Sequence, residues 1–176
     1  AITVPLDGVK KPEIHQIDLD LYQAVASNEA LDLEFEALQG RLSFNDERGL
    51  YAEKITGQLW GHAVNAELAE VHGDYRALTL TLKGHTDMAA LQAWTRRPEL
   101  TFASGASEFS ADLFVPYGGD HEQPRLTVSS DLEGVVVDLP APYGKGPTES
   151  RTMTVGISLG AEDNLLELRY SDLAHA

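Results

Sequence analysis

The chain has 176 residues, with 28 acidic and 13 basic side chains and a formal charge of −15. That charge repels nucleic-acid phosphates and anionic membrane surfaces, which excludes the usual electrostatic route to either partner. Cysteine is absent, which removes disulfide scaffolds and thiolate metal sites, and no apolar run approaches the ~20 residues of a spanning helix.

The length suits one β-rich unit spanning residues 1–176. It opens in mid-alternation, with Ile2, Val4 and Leu6 apolar, and reads as an excerpt of a longer protein. After Asp7-Gly8, Ile17, Leu19 and Leu21 alternate with Gln16, Asp18 and Asp20, which predicts a two-faced strand. Ala24 to Ala30 has no period and predicts a bend or single turn. Leu31, Leu33 and Phe35 then alternate with Asp32, Glu34 and Glu36, placing acidic charge on the outward face.

Arg41 to Phe44 and Leu50 to Trp60 flank the polar loop Asn45-Asp46-Glu47-Arg48-Gly49, the pattern of a hairpin. Ile55, Gly57, Leu59 and Gly61 share a face in this reading, and the two glycines leave room for a close neighbour or a sharp curl in the sheet. Ala66 and Leu68 lead to a turn at His72-Gly73-Asp74. Beyond it Leu78, Leu80 and Leu82 alternate with Thr79, Thr81 and Lys83, the cleanest strand signal in the chain.

One helix is predicted, capped by Thr86 or Asp87 and ending before Pro98, with Met88, Leu91 and Trp94 on its apolar side. Three strands follow: Glu99 to Ala103, Phe109 to Val115, and a run through Leu126 and Val128, the last two separated by a turn at Gly118-Gly119-Asp120. Arg151 to Leu159 and Leu166 to Tyr170 close the set, the latter read as strand over helix because of its alternation. A loose Leu-x-Gly recurrence, at Leu38, Leu59, Leu82 and Leu132, marks strand ends at unequal spacings, so no countable repeat is present.

Catalytic chemistry finds little support. Gly156-Ile157-Ser158-Leu159-Gly160 has the nucleophile-elbow spacing, with Asp172 and His175 beyond it, but an elbow needs a strand-to-helix turn and Ser158 lies in an alternating run. Asp18 and Asp20 project to one side of a strand and could hold a calcium ion near His15 or Gln16; a solvated acidic face is the simpler reading, and Glu34 and Glu36 repeat it. His15, His62, His72, His85, His121 and His175 show no metal-ligand spacing. Trp60, Trp94, Tyr22, Tyr75 and Tyr117 could stack on sugar rings, although Trp94 falls on the helix's apolar side. The residues call for no catalytic group, no metal and no cofactor.

The most distinctive stretch is SDLEGVVVDLPAPYGK, Ser130 to Lys145. Gly134 permits a bend, Val135 to Leu139 is a β-branched strand, and Pro140 and Pro142 stop it. This wording resembles the signature of the YhdP branch of the AsmA-like envelope proteins. Leu91 and Trp94, Gly105 to Phe109, Leu113 to Pro116 and Asp131 to Pro142 come in that family's order, and LQGRLSFNDERGLYAEKITGQLWGHAV matches its cadence.

The resemblance implies a mainly β fold: an antiparallel, strongly curled, groove- or taco-like sheet with one short helix. It implies a non-enzymatic segment of a Gram-negative periplasmic protein anchored in the inner membrane. The implied role is outer-membrane homeostasis, with phospholipid acyl chains carried between the two membranes along an apolar groove. Leu80, Leu82, Leu113, Val115, Val128 and Ile157 are the residues expected to line it. The rival reading is a β-sandwich carbohydrate-binding module.

Overall fold

The computed structural model describes residues 16–29, 32–73, 76–96, 101–117, 123–159, 166–171 and 174–175. Its strands are β1 (Gln16–Asn28), β2 (Leu33–Asn45), β3 (Gly49–Leu59), β4 (His62–His72), β5 (Arg76–Asp87), β6 (Ala103–Tyr117), β7 (Arg125–Ser130), β8 (Val135–Val137), β9 (Met153–Ser158), β10 (Leu166–Tyr170) and β11 (Ala174–His175). The single α-helix among the described residues, α1 (Met88–Thr95), joins β5 to β6.

Every pairing is antiparallel, and the order follows the chain from β1 to β7, then β9, β10 and β11, with β8 on a short separate ladder against β6. This is one open sheet among the described residues, not the two facing sheets of a sandwich. The nearest-neighbour order follows from short links: Asp46, Glu47 and Arg48 turn β2 into β3, with Asn45 Oδ1 accepting from the Glu47 and Arg48 amides at 3.1 and 2.7 Å. Trp60 and Gly61, at φ 52° and 78°, turn β3 into β4 in the two-residue, positive-φ manner that matches strand twist.

α1 begins where expected. Asp87 is its N-cap, accepting from the Ala90 amide at 2.7 Å, and Arg96 ends it in the left-handed region at φ 54°. Met88 packs with Leu132, Val135 and Val137 in one buried cluster, against which Leu91, Phe102, Ala103, Met153 and Tyr170 are placed. Leu59, Val64, Leu82 and Ala111 form the other cluster, near the middle of the sheet.

Several expectations are corrected. Ala24 to Asn28 does not bend away: β1 runs on to Asn28, absorbing its lost period in register shifts between Leu21 and Ala26 and a positive φ at Gln23. Ala103 to Tyr117 is one 15-residue strand, because β6 changes partner from β8 to β5 part-way along instead of turning; Glu99 and Leu100 lie outside the described residues, as do Ile2 to Leu6 and the Gly118-Gly119-Asp120 turn. The Val135–Leu139 strand is shortened to Val135–Val137: the Asp138 amide still reaches the Phe102 carbonyl, its next partner in register, at 2.7 Å, and the run ends there, ahead of Pro140. Leu38 and Leu82 of the Leu-x-Gly recurrence sit inside strands, not at their ends, and Gly61 sits in the β3–β4 turn rather than on the face of Ile55.

The Ser130–Lys145 stretch folds as a compact knot. Gly134, at φ 90°, brings its carbonyl so close to Gly105 that a Cβ on either glycine would strike the other segment's backbone. Lys145 is 5 % exposed, and its Nζ donates to the carbonyls of Leu132, at 2.8 Å, and Val135. Burial pushes its ammonium down from the ordinary lysine range.

Candidate functional site

In an antiparallel sheet, facing residues share a side and side chains alternate along each strand, so register alone decides which residues form a surface. One row reads Leu68, Leu80, Leu113, Leu126, Ile157 across β4, β5, β6, β7 and β9. The next reads Gly40, Ile55, Ala66, Leu82, Ala111, Val128, Val155, Leu168 across eight strands. A third carries Gly57, Val64, Gly84 and Phe109, and a fourth Leu78 and Val115. Leu80, Leu82, Leu113, Val115, Val128 and Ile157 therefore all lie on one face.

The second row spans about 34 Å at a strand spacing near 4.8 Å. From Leu78 to Gly84 the apolar surface extends about 20 Å along β5 at about 3.4 Å per residue. Of the six candidates only Leu82, at 9 % exposure, is buried; the other five are intermediate. Leu19, at 54 %, and Leu168, at 37 %, leave the face open toward both flanks. The glycines on it are filled by neighbours: a Cβ at Gly57 would meet Leu38 Cδ2 at 2.6 Å, and one at Gly84 would meet Val64 Cγ1 at 2.7 Å. The opposite face is mainly polar, with Thr79, Thr81, Asp112 and Thr127 on neighbouring strands, but it also carries Val71, Ala77 and Phe114.

The two strand ends bounding the apolar face differ. At one end α1 lies across the strand termini: Trp94 meets Trp60 of the β3–β4 turn with ring centroids 5.4 Å apart, and Arg96 reaches Asp32, beside the start of β2, at 3.0 Å. Asp87 takes His62 Nε2 at 3.1 Å besides its capping bond; the Ala90 amide and then His62 hold its carboxyl below the usual range. Thr86 and Ser107 are buried there.

At the other end, continuing the same parity, stand Glu70, His72, Arg76 and Tyr117. The Glu70 side chain is 6 % exposed and accepts from the Tyr117 hydroxyl, from the Leu50 amide at 3.1 Å and from His72 at 2.8 Å, which together hold its carboxyl down at about 2. The Arg76 guanidinium comes within 4.0 Å of Glu70 and is 68 % exposed.

The other residues singled out do not converge. Asp18 accepts from Ser43 at 2.7 Å and from Gln16, while Asp20 pairs with Arg41 at 2.7 Å, so the two carboxylates are engaged separately. No group of three or more His, Asp or Glu side chains with metal-site geometry occurs among the described residues. Glu34 and Glu36 are exposed on β2. Ser158 ends β9 paired with Arg125, on an antiparallel ladder rather than a strand-to-helix turn; Asp172 and the His175 side chain lie outside the described residues. Trp60 and Trp94 are spent on each other, and Tyr22, 84 % exposed, stands apart on β1. Tyr75, His15 and His121 lie outside the described residues, and His62 and His85 approach with ring centroids 6.1 Å apart.

The Glu70 cluster was missed in the sequence, although a signal was there: Glu70 continues the parity of Val64, Ala66 and Leu68, where an apolar residue belongs. A buried Lys145 leaves no such trace, since lysine after Gly144 reads as a surface loop.

A family model described as YhdP protein matches residues 2–176. No curated protein and no solved structure matches the chain.

Proposed function

This chain belongs to the YhdP family, an envelope protein family, and on that premise we propose that it is a non-enzymatic periplasmic segment whose apolar sheet face carries phospholipid acyl chains between the inner and outer membranes. The sheet curls so that this face becomes the floor of a groove, within a longer protein anchored in the inner membrane. The observation that carries the reading is the shared face of Leu80, Leu82, Leu113, Val115, Val128 and Ile157, five of them incompletely buried. A sealed core packs such side chains against one another at crystal-like density, whereas this face has aliphatic surface left for an apolar occupant.

The occupant is lipid rather than sugar, because saccharide recognition uses a platform of exposed aromatics, whereas the rows of this face are mainly aliphatic and its aromatics, Phe44, Phe109 and Tyr117 among them, fall on separate rows. Native mass spectrometry of the purified full-length protein tests this. A mass increment of one or more diacyl phospholipids, abolished by Leu80→Asp together with Leu113→Asp in a folded protein, is expected. Folded protein that never carries lipid, at any detergent concentration that preserves it, contradicts the proposal.

A further inference from the structure

A phospholipid on the apolar face has two ways to lie along the strands, and the choice between them, which rests on the lipid reading, is set by the size of the face and the chemistry of its ends. The face is about 20 Å deep along the strands, and one bilayer leaflet's hydrocarbon is about 15 Å, half of a ~30 Å core. Acyl chains laid along β5 and β6 thus fit between the two strand ends, with the headgroup at one of them.

The ends are not equivalent. At the α1 end the polar groups of the face are covered and engaged: Ser107, 4 % exposed, bonds to Ser130 at 3.1 Å, and Thr86 is 9 % exposed. The charges there are taken up in close pairs: Asp87 with His62 at 3.1 Å, and the Arg96 guanidinium, 81 % exposed, with Asp32 at 3.0 Å. Leu91 and Trp94, both partly exposed, add apolar surface. At the opposite end Tyr117 is 40 % exposed, and the Arg76 guanidinium projects into water one same-face step beyond Leu78.

Arg76 carries five N–H donors in a planar fork suited to phosphate. Its one ion pair among the described residues is the 4.0 Å approach to Glu70. Glu70 cannot swing out to compete, because Tyr117, the Leu50 amide and His72 hold its carboxylate in a 6 % exposed position. We propose that a diacyl phospholipid lies on this face along β5 and β6, with its phosphate at Arg76, beside the Tyr117 ring, and its chain termini toward α1. The charge of −15 makes a zwitterionic headgroup the better-tolerated class, since an added ammonium offsets the repulsion that a net anionic headgroup meets.

Two phosphatidylethanolamine probes test the orientation in the full-length protein, one with a diazirine in the headgroup and one with it at the acyl terminus. The headgroup probe is expected to label peptides carrying Arg76 and Tyr117, and the terminal probe those carrying Gly84 to Trp94 and Phe109. Arg76→Gln should cut headgroup labelling roughly tenfold, the scale of one charge-assisted hydrogen bond, while leaving terminal labelling in place; Arg76→Lys should recover part of it. Labelling should be weaker with a phosphatidylglycerol probe and undiminished by excess inorganic phosphate. The reversed pattern, or one in which both probes label both ends alike, overturns the orientation while sparing the lipid reading. Loss of headgroup labelling to inorganic phosphate makes Arg76 a free-anion site and overturns it too. No labelling of the face by either probe, in folded protein, overturns both proposals.

Discussion

Leu82 and Leu113 sit on neighbouring strands of the same face, yet aspartate should be far more damaging at one than at the other. Leu82 is 9 % exposed within the cluster of Leu59, Val64 and Ala111, and Leu113 is only partly buried in the row between Leu80 and Leu126. Full burial of a leucine is worth ~1.5 to 3 kcal/mol, and an unpaired carboxylate at Leu82 adds a desolvation cost of similar size, so Leu82→Asp should destabilise by about 5 kcal/mol. At Leu113 the carboxylate can reach water across the open face, and the loss reduces to part of the transfer term, about 2 kcal/mol. Urea denaturation of the two variants, read by Trp60 and Trp94 fluorescence with a shared m-value, measures the difference. A gap of ~3 kcal/mol is a large fraction of the stability of an ordinary domain and cannot be missed. Equal losses, both near the larger figure, would show that the face is sealed in solution and refute the reasoning.

Acid should weaken the end of the sheet that holds Glu70. A carboxyl held at about 2 in the fold against 4.5 when free contributes stability that is complete above 4.5 and fades as pH falls from there toward about 2. Glu70→Gln should flatten that part of the pH–stability curve, as read from urea midpoints at several pH values. Lys145→Met keeps the buried stem but leaves the Leu132 and Val135 carbonyls without their donor; a loss of about 2 kcal/mol in thermal melts is expected, concentrated in the knot that follows β7. Asp87→Ala should cost about 1 kcal/mol and perturb the near-ultraviolet signal of the Trp60–Trp94 pair, whereas Asp87→Asn, which can still cap, should preserve most of both.

The sheet was legible because its strands obey a single rule, alternation, that local sequence displays. Leu78, Leu80 and Leu82 read as a strand without help, and Asp87 before an apolar i, i+3 series with Pro98 beyond it bounded the helix. Where the structure departs, the cause is tertiary. β6 runs unbroken through Gly105 because β8 and β5 take it up in turn, and pairing that comes from 30 residues away has no local mark. The tail of β1 stays extended because β2 holds it through two register shifts, despite a sequence without period. The apolar parity of each strand could be read locally, but which parities of different strands share a face, and the contrast between the two strand ends, could not. That contrast depends on which residues β4, β5 and β6 bring side by side at Glu70, Arg76 and Tyr117, a register fact that separate strand assignments do not contain.

The most direct test of the apolar face as a lipid conduit is a photo-crosslinking side chain at Leu113 of the full-length protein in growing cells, with one at Thr81 on the opposite face as control. The lipid-carrying account predicts a phospholipid adduct at Leu113 and none at Thr81. Crosslinks from Leu113 only to the protein's own β5 and β7, with no lipid, would contradict it.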